Sequence, residues 1–229
     1  MDKIKLLTLQ AKMVSCDLCS MEGFPIEPGA IFSGNADAEV MIIGQAPGIT
    51  EVSAKRPFNA GSGHRLFQWL SEAGFNEHAF RQDQYMTAVT KCYPGKNSSG
   101  KGDRVPSKQE QRLCRSYLEQ ELGLVNPRLI IPVGALAIKL FFNRALKLSD
   151  VIGKAAYWED EISDVWPNFS RQSSIMHTSL PNTLHIDGRW IVPLPHPSGA
   201  SLWPNLPENR QLIERAIGLL GEVRIGLNI

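Results

Sequence analysis

Apolar positions along this chain gather into short unbroken runs separated by stretches with helical spacing. Val40-Met41-Ile42-Ile43 is the clearest run: residues 39–43 read as a buried strand that stops abruptly at Gly44-Gln45-Ala46-Pro47-Gly48. Residues 63–73 carry Leu66, Phe67 and Leu70 on one helical face, with Gly74 closing the helix. Residues 84–90 predict a second strand, and residues 128–134 (RLIIPVG) a third that runs directly into a helix over ALAIKLFF. Ser107 and Glu110 form a capping box that opens a helix reaching about Leu122. TLHIDGRWIVPLP predicts two strands joined at Asp187-Gly188, a hairpin signal. A last helix is expected from about Glu208 to Gly221, and the Lys-and-apolar alternation of the first sixteen residues reads as an amphipathic helix. Residues 143–180 show no clear period and predict no element.

Strands alternating with helices imply an α/β fold with a mainly parallel sheet. With 229 residues, no repeats and no evident linker, residues 1–229 are expected to form a single domain. Such a length buries a substantial core without disulfides. The formal net charge of +1 selects no class of partner, because local patches matter more than the sum. No apolar run is long enough to span a bilayer, and the N-terminus has neither the continuous apolar core nor the cleavage site of a secretion signal. The expectation is a cytoplasmic protein.

In a reducing compartment the four cysteines stand out. Cys16 and Cys19 form a CxxC, Cys92 follows a strand and Cys114 lies in a helix. Two disulfides would be out of place there. The pattern suits a four-thiolate site, either zinc or an iron–sulfur cluster, with four buried unligated thiols as the alternative.

Ligands of open α/β sheets sit beyond the carboxyl ends of the strands. Three such ends carry unusual chemistry: Gly44–Gly48 with Glu51 and RPFNAGSG, then TAVTKCYPG, then PLPHPSGASLWPN. The first is neither a dinucleotide fingerprint nor a P-loop, and no GxSxG elbow marks a hydrolase nucleophile. Prolines on both sides of His196 hold its backbone stiff, which suits a hydrogen-bond donor to a developing anion. A structural histidine is the plainer alternative. Ser198, Gly199 and Ser201 offer hydroxyls and accessible N–H groups to a phosphate, and Leu202-Trp203-Pro204 adds apolar bulk beside them. A phosphate grip next to an apolar wedge is what unstacking and flipping a base requires, although a Ser/Gly turn beside a buried Trp has the same composition.

GQAPG followed by RPF after one strand, KC after the next and HPS near the end resemble the uracil-DNA glycosylase superfamily. The four cysteines make the chain most similar to its iron–sulfur branch, the family-four enzymes, over most of the length from Cys16 to the last helix. The resemblance implies a three-layer α/β/α fold around a four-stranded, mainly parallel sheet, and a structural [4Fe–4S] cluster on Cys16, Cys19, Cys92 and Cys114. It implies hydrolysis of the N-glycosidic bond of deoxyuridine in single- or double-stranded DNA, a DNA-repair reaction, by a monomer without an obligate protein partner. His196 would hydrogen-bond uracil O2, Phe58 would stack on the flipped base, and Gln45 with the rest of Gly44, Ala46, Pro47 and Gly48 would line the base and water pocket. Glu51 would orient the water, unless it is merely a surface carboxylate. Lys96, Lys101 and Arg104, in an interval between Cys92 and Cys114 longer than the family's usual one, would meet DNA phosphates.

The chain departs from the family pattern in four places. Gln45 stands where the family usually has Glu, Val52 where it has Asp, Ala88 where an Asn reads the uracil edge, and Ala200 where a wedge leucine is frequent. Asn59 is a candidate replacement for the missing amide, and Leu202 or Trp203 for the wedge. The loop over 93–106 has no histidine, so the covalent capture used by one relative is not expected. Two functions follow: an active glycosylase with altered base recognition, or a catalytically weak protein that binds lesions or abasic sites. A zinc-stapled protein unrelated to DNA is a third reading, and its lack of colour would set it apart.

Overall fold

Six strands form one sheet in this computed structural model, which describes residues 2–100, 102–159, 176–181, 183–199 and 201–229. In chain order the elements are α1 (Asp2–Val14), α2 (Leu18–Met21), β1 (Val40–Gly44), α3 (Ile49–Ala54), α4 (Ala60–Glu72), α5 (Glu77–Asp83) and β2 (Tyr85–Ala88). There follow α6 (Lys108–Val125), β3 (Leu129–Pro132), α7 (Ala135–Phe141), α8 (Leu148–Val151), β4 (Ala155–Trp158), β5 (Met176–His177), β6 (Arg189–Ile191) and α9 (Pro207–Leu227). The strand order is β2-β1-β3-β6-β4-β5. The first four are parallel neighbours, whereas β4 lies antiparallel to both β6 and β5. The α/β class and the parallel bias follow the sequence; the four-strand count does not, because β4 and β5 add two strands. Both come from the stretch without a period, and at four and two residues they are too short to display one.

The hairpin expected at Asp187-Gly188 does not form. Only its second half becomes a strand, β6, and both of its edges are occupied, by β3 and by β4. No ladder position is left for residues 183–186. Gly188 is instead pressed against β4: a Cβ there would stand 2.0 Å from the Trp158 carbonyl oxygen.

Parallel strands covered on both faces must be apolar along their whole length. Every residue of β1, β2 and β3 is buried. Leu6, Leu9 and Met13 of α1 bury one face of that helix against α6, while α9 packs on α4. The capping box at Ser107 is present, with the Glu110 amide donating to Ser107 Oγ at 3.2 Å and the Ser107 amide to Glu110 Oε2 at 2.7 Å. Asn126, in the left-handed region, ends α6 one turn later than the pattern indicated. α9 runs past Gly221 because Val223 and Leu227 continue its buried stripe, and one glycine costs a helix only about 1 kcal/mol. No helix among the described residues is long and apolar enough to cross a membrane.

Register brings the strand ends level. Gly44 at the end of β1 lies opposite Ala88 at the end of β2. The chain beyond β6 keeps pace with β3, the Leu194 amide donating to the Pro132 carbonyl and the Gly134 amide to the Leu194 carbonyl. His196 therefore arrives just past the sheet, beside the residues that follow β1 and β2.

Candidate active site

A cleft of about 590 Å³ opens at this edge of the sheet. Its wall includes Gly44–Gly48, Glu51, Phe58, Ala88, His196, Ser198 and Ser201, which the sequence had placed on three separate strand ends.

His196 is fixed through one ring nitrogen. The Ser198 backbone N–H donates to Nδ1 at 3.2 Å, and the Ser198 hydroxyl lies 2.9 Å from the same atom. A backbone N–H can only donate, so Nδ1 is the acceptor and the proton of the neutral ring sits on Nε2. Burial lowers the pKa of His196 below the ordinary 6.5, and the nearby Glu51 charge opposes this without reversing it. The ring rests on Gly134, whose φ of +84° and missing Cβ leave the space: an added Cβ would come within 3.1 Å of His196 Cδ2.

Phe58 lines the cleft with its ring against the end of β1. An added Cβ on Gly44 would meet its Cζ at 3.0 Å, so the glycine is what lets ring and strand end approach. Phe58 takes a left-handed φ of +49°, a conformation costing about 1–3 kcal/mol. Arg81 holds it there, donating to the Pro57 carbonyl at 3.0 Å and the Phe58 carbonyl at 2.9 Å. Gly63 admits the same turn, since a Cβ there would collide with the Phe58 carbonyl oxygen.

Glu51 is only 8% exposed, which excludes the surface-carboxylate alternative. Its Oε2 accepts from the Gly48 amide and the Thr50 hydroxyl, both at 3.0 Å, and its Oε1 from the Asn59 amide at 3.0 Å. It thereby ties the 44–48 loop to the start of α4. Asn59 itself stands outside the cleft wall, as the residue that precedes α4, with Nδ2 3.4 Å from the Thr50 carbonyl. Below Ala88, buried Lys91 donates to the Ala88 carbonyl at 2.6 Å and pairs with buried Glu121 at 2.5 Å, which fixes the end of β2.

One carboxylate carries no signal in the sequence pattern. Asp103 joins the cleft wall, and a Cβ built on Gly48 would lie 3.0 Å from its Oδ2 and 2.7 Å from Glu51 Oε2. Its Oδ1 accepts from the Tyr93 hydroxyl at 2.9 Å and from Lys96 Nζ at 3.1 Å, leaving Oδ2 toward the loop. Arg104, next to it, forms a two-pronged pair with buried Glu110 at 2.7 and 2.5 Å, which holds that carboxyl down to about 2. The guanidinium expected to meet phosphate is thus committed within the protein. Lys101 and Ala200 lie outside the described residues.

Leu202 projects into solvent at 75% exposure, whereas Trp203, in a 3₁₀ turn, packs against the core, its carbonyl accepting from Asn209 at 2.9 Å. Both lie outside the cleft wall, as does Gly199.

Beyond the end of β2, Cys16, Cys19, Cys92 and Cys114 line one pocket with Met13, Ile26, Leu113 and Tyr117. None is in a disulfide. Burial raises Cys19 to about 11 and Cys114 to about 12, and neighbouring thiols push Cys19 up further. Among the described residues no three His, Cys, Asp or Glu side chains converge as closely as a single metal ion needs. Four thiols around one apolar pocket are a donor set for a soft metal group.

A mainly parallel sheet with a cleft at its carboxyl edge, lined by His196, Glu51 and Asp103 among apolar residues, defines a ligand-binding α/β protein of the kind in which strand ends supply the chemistry. The family model described as "Uracil DNA glycosylase superfamily" matches residues 31–220, and the chain belongs to that superfamily. It is similar to the type-4 uracil-DNA glycosylase of Pyrobaculum aerophilum, 37% identical over 146 residues that make up 61% of this chain and 68% of the relative. The type-4 enzyme of Sulfurisphaera tokodaii is 28% identical over 192 residues, 80% and 81% of the two chains. That of Thermotoga maritima is 31% identical over 126 residues, 55% and 60%.

Proposed function

We propose that this protein is a DNA-repair glycosylase that hydrolyses the N-glycosidic bond of uracil in DNA and leaves an abasic site. The observation that carries the reading is a half-buried, neutral His196 whose N–H is on Nε2, in one cleft with Phe58 and the Gly44–Gly48 backbone. In this reading a flipped uracil stacks on Phe58 and accepts a hydrogen bond on O2 from His196 Nε2. As the bond from C1′ to N1 breaks, its electron pair passes to the ring and the sugar becomes cationic. His196 stabilises that uracil anion, a contribution of about 10²–10³-fold for a preorganised donor. A water held between the Gln45 loop and the carboxylates Glu51 and Asp103 adds to C1′ and gives up its proton to Asp103 Oδ2, the carboxylate oxygen that no protein donor occupies among the described residues. Ser198, Gly199 and Ser201 grip phosphate, and Leu202, exposed where Trp203 is packed, is the wedge.

We also propose that Cys16, Cys19, Cys92 and Cys114 hold a [4Fe–4S] cluster. The chemistry of the donor set supports it: four thiols from α2, α6 and two loops meet in one apolar pocket. When bound, the cluster supplies a structural cross-link rather than a reacting group. The residues themselves tie the segment after α1 and the loop after β2 to α6. Four free thiols suit a reducing, cytoplasmic setting.

Ala88 favours a second reading, a catalytically weak lesion binder, because it brings no side-chain amide to the base edge. The two are separated by incubating the protein with oligonucleotides carrying one uracil, hypoxanthine or xanthine, and by measuring binding to abasic DNA. Release of uracil is expected. No release of any base, with tight retention of abasic DNA, would replace the glycosylase with the binder.

A further inference from the structure

Near the cleft the protein carries a basic cavity to which the reaction assigns no role. It encloses about 250 Å³ between α6 and α7. Lys108, Arg112 and Arg115 line it from α6, and Arg144 from the turn after α7. Positions 108, 112 and 115 are three or four apart and share one face of their helix. The turn that carries Arg144 is built: the Asn143 side chain accepts from the Ala145 amide at 3.0 Å, and its carbonyl from the Leu146 amide at 3.0 Å. Among the described residues no acidic side chain lines the cavity. Arg115 pairs with Glu119 at 2.8 Å, but Lys108, Arg112 and Arg144 have no ionic or hydrogen-bond partner among the described residues. In a molecule with 24 basic and 23 acidic residues, such a concentration is local, and its members repel one another until an anion arrives.

The cavity and the cleft meet the end of β2 at consecutive residues: Val89 lines the cavity and Ala88 the cleft. On the other flank of α7 a smaller cavity of about 160 Å³ shares Ala135 and Leu148 with the cleft and carries Lys139 and Lys147. Cations therefore line both flanks of α7, Lys139 and Lys147 on one and Arg144 with the α6 residues on the other, and none of these side chains belongs to the Ser198–Trp203 segment.

We propose that α7 and the first two turns of α6 form a second DNA-contact surface, which grips the phosphates of the backbone leaving the cleft. The proposal rests on the glycosylase reading for the identity of its ligand. Phosphodiester is the anion that fits, because it repeats along a strand as these cations repeat across two cavities. Contacts of this kind position a duplex without reading its sequence.

The test compares wild type with Lys108→Gln/Arg112→Gln/Arg144→Gln, exposed residues whose replacement disturbs no ion pair or hydrogen bond among the described residues. Binding of undamaged duplex is measured between about 50 and 200 mM KCl, with duplexes of roughly one and three helical turns. Single-turnover uracil release at saturating DNA is measured alongside. The expected result is a log–log salt slope shallower by about 2–3, at roughly 0.9 for each phosphate no longer neutralised. Affinity for the long duplex falls tenfold or more, the short duplex is little affected, and release at saturation stays within twofold. Arg144→Gln alone lowers the slope by about one, which guards against a folding defect in the triple variant. An unchanged slope overturns the surface, and so does binding of inorganic phosphate that leaves DNA affinity untouched by the substitutions. Wild type that binds DNA but releases no base overturns the glycosylase reading alone. Wild type that binds no DNA overturns both.

Discussion

His196 owes its chemistry to what surrounds it. Burial disfavours the imidazolium, and the Ser198 amide occupies Nδ1, so the ring stays neutral with its donor on Nε2. An unfolded histidine takes up a proton through 6.5, while this one stays neutral to lower pH. Its contribution to stability is therefore complete above 6.5 and is lost as pH falls through the depressed folded value. Acid also sets a proton on Nδ1 against the Ser198 N–H, which turns the ring away. Single-turnover release should be flat from about pH 7 to 8.5 and decline only below 6.5. A rate that changes steeply above pH 7 would contradict a neutral donor. His196 and Gly44–Gly48 were legible because prolines and glycines punctuate them at the ends of apolar runs. Asp103 and Arg81 were not. Asp103 sits in a Gly/Ser/Lys loop without periodicity, and Arg81 reaches Phe58 from a helix whose sequence shows only an ordinary i,i+4 pair with Glu77.

Among the elements, the 93–106 loop changes most between sequence and structure. It read as extra length with cations for DNA, yet its Arg104 is an internal strut on Glu110 and its Asp103 faces the cleft. Arg104→Ala leaves a buried carboxylate unpaired and should cost about 2–3 kcal/mol. Thermal unfolding would fall by roughly 4–12 °C for a chain of this size. An unchanged midpoint would show that the pair holds nothing. The missed hairpin has a similar lesson. Asp187-Gly188 is a turn signal, but a turn becomes a hairpin only when both flanking segments find a free strand edge, and β6 offers none. Edge occupancy is a property of the whole sheet that a local pattern does not contain. The long apolar strands β1 and β3 needed no such information, because burial on both faces is written into their composition.

At the scale of the whole molecule, two sites share the end of β2. Ala88 closes the strand in the cleft, and Cys92, four residues on, lines the thiol pocket with Lys91 and Glu121 fixed between them. The cysteine set was legible as a metal-type pattern because CxxC spacing is local. That α6 would carry its fourth member to the same pocket depended on the packing of α6 against α1. Protein purified without oxygen should be brown, with about four iron atoms per chain. Cys114→Ser should lose the colour and unfold at lower temperature, and a colourless wild type holding zinc would contradict the cluster. The cleft brings Gly44–Gly48, Phe58 and His196 into one wall, and the function proposed for it stands or falls on what that wall does to uracil. The decisive measurement is single-turnover release of uracil from a DNA oligonucleotide, wild type beside His196→Ala. Wild type should release one uracil and leave one abasic site per turnover, while the variant should be slower by about 10²–10³-fold with DNA binding unchanged. A variant within threefold of wild type would remove His196 from the reaction, and a wild type that releases no uracil would remove the reaction from the protein.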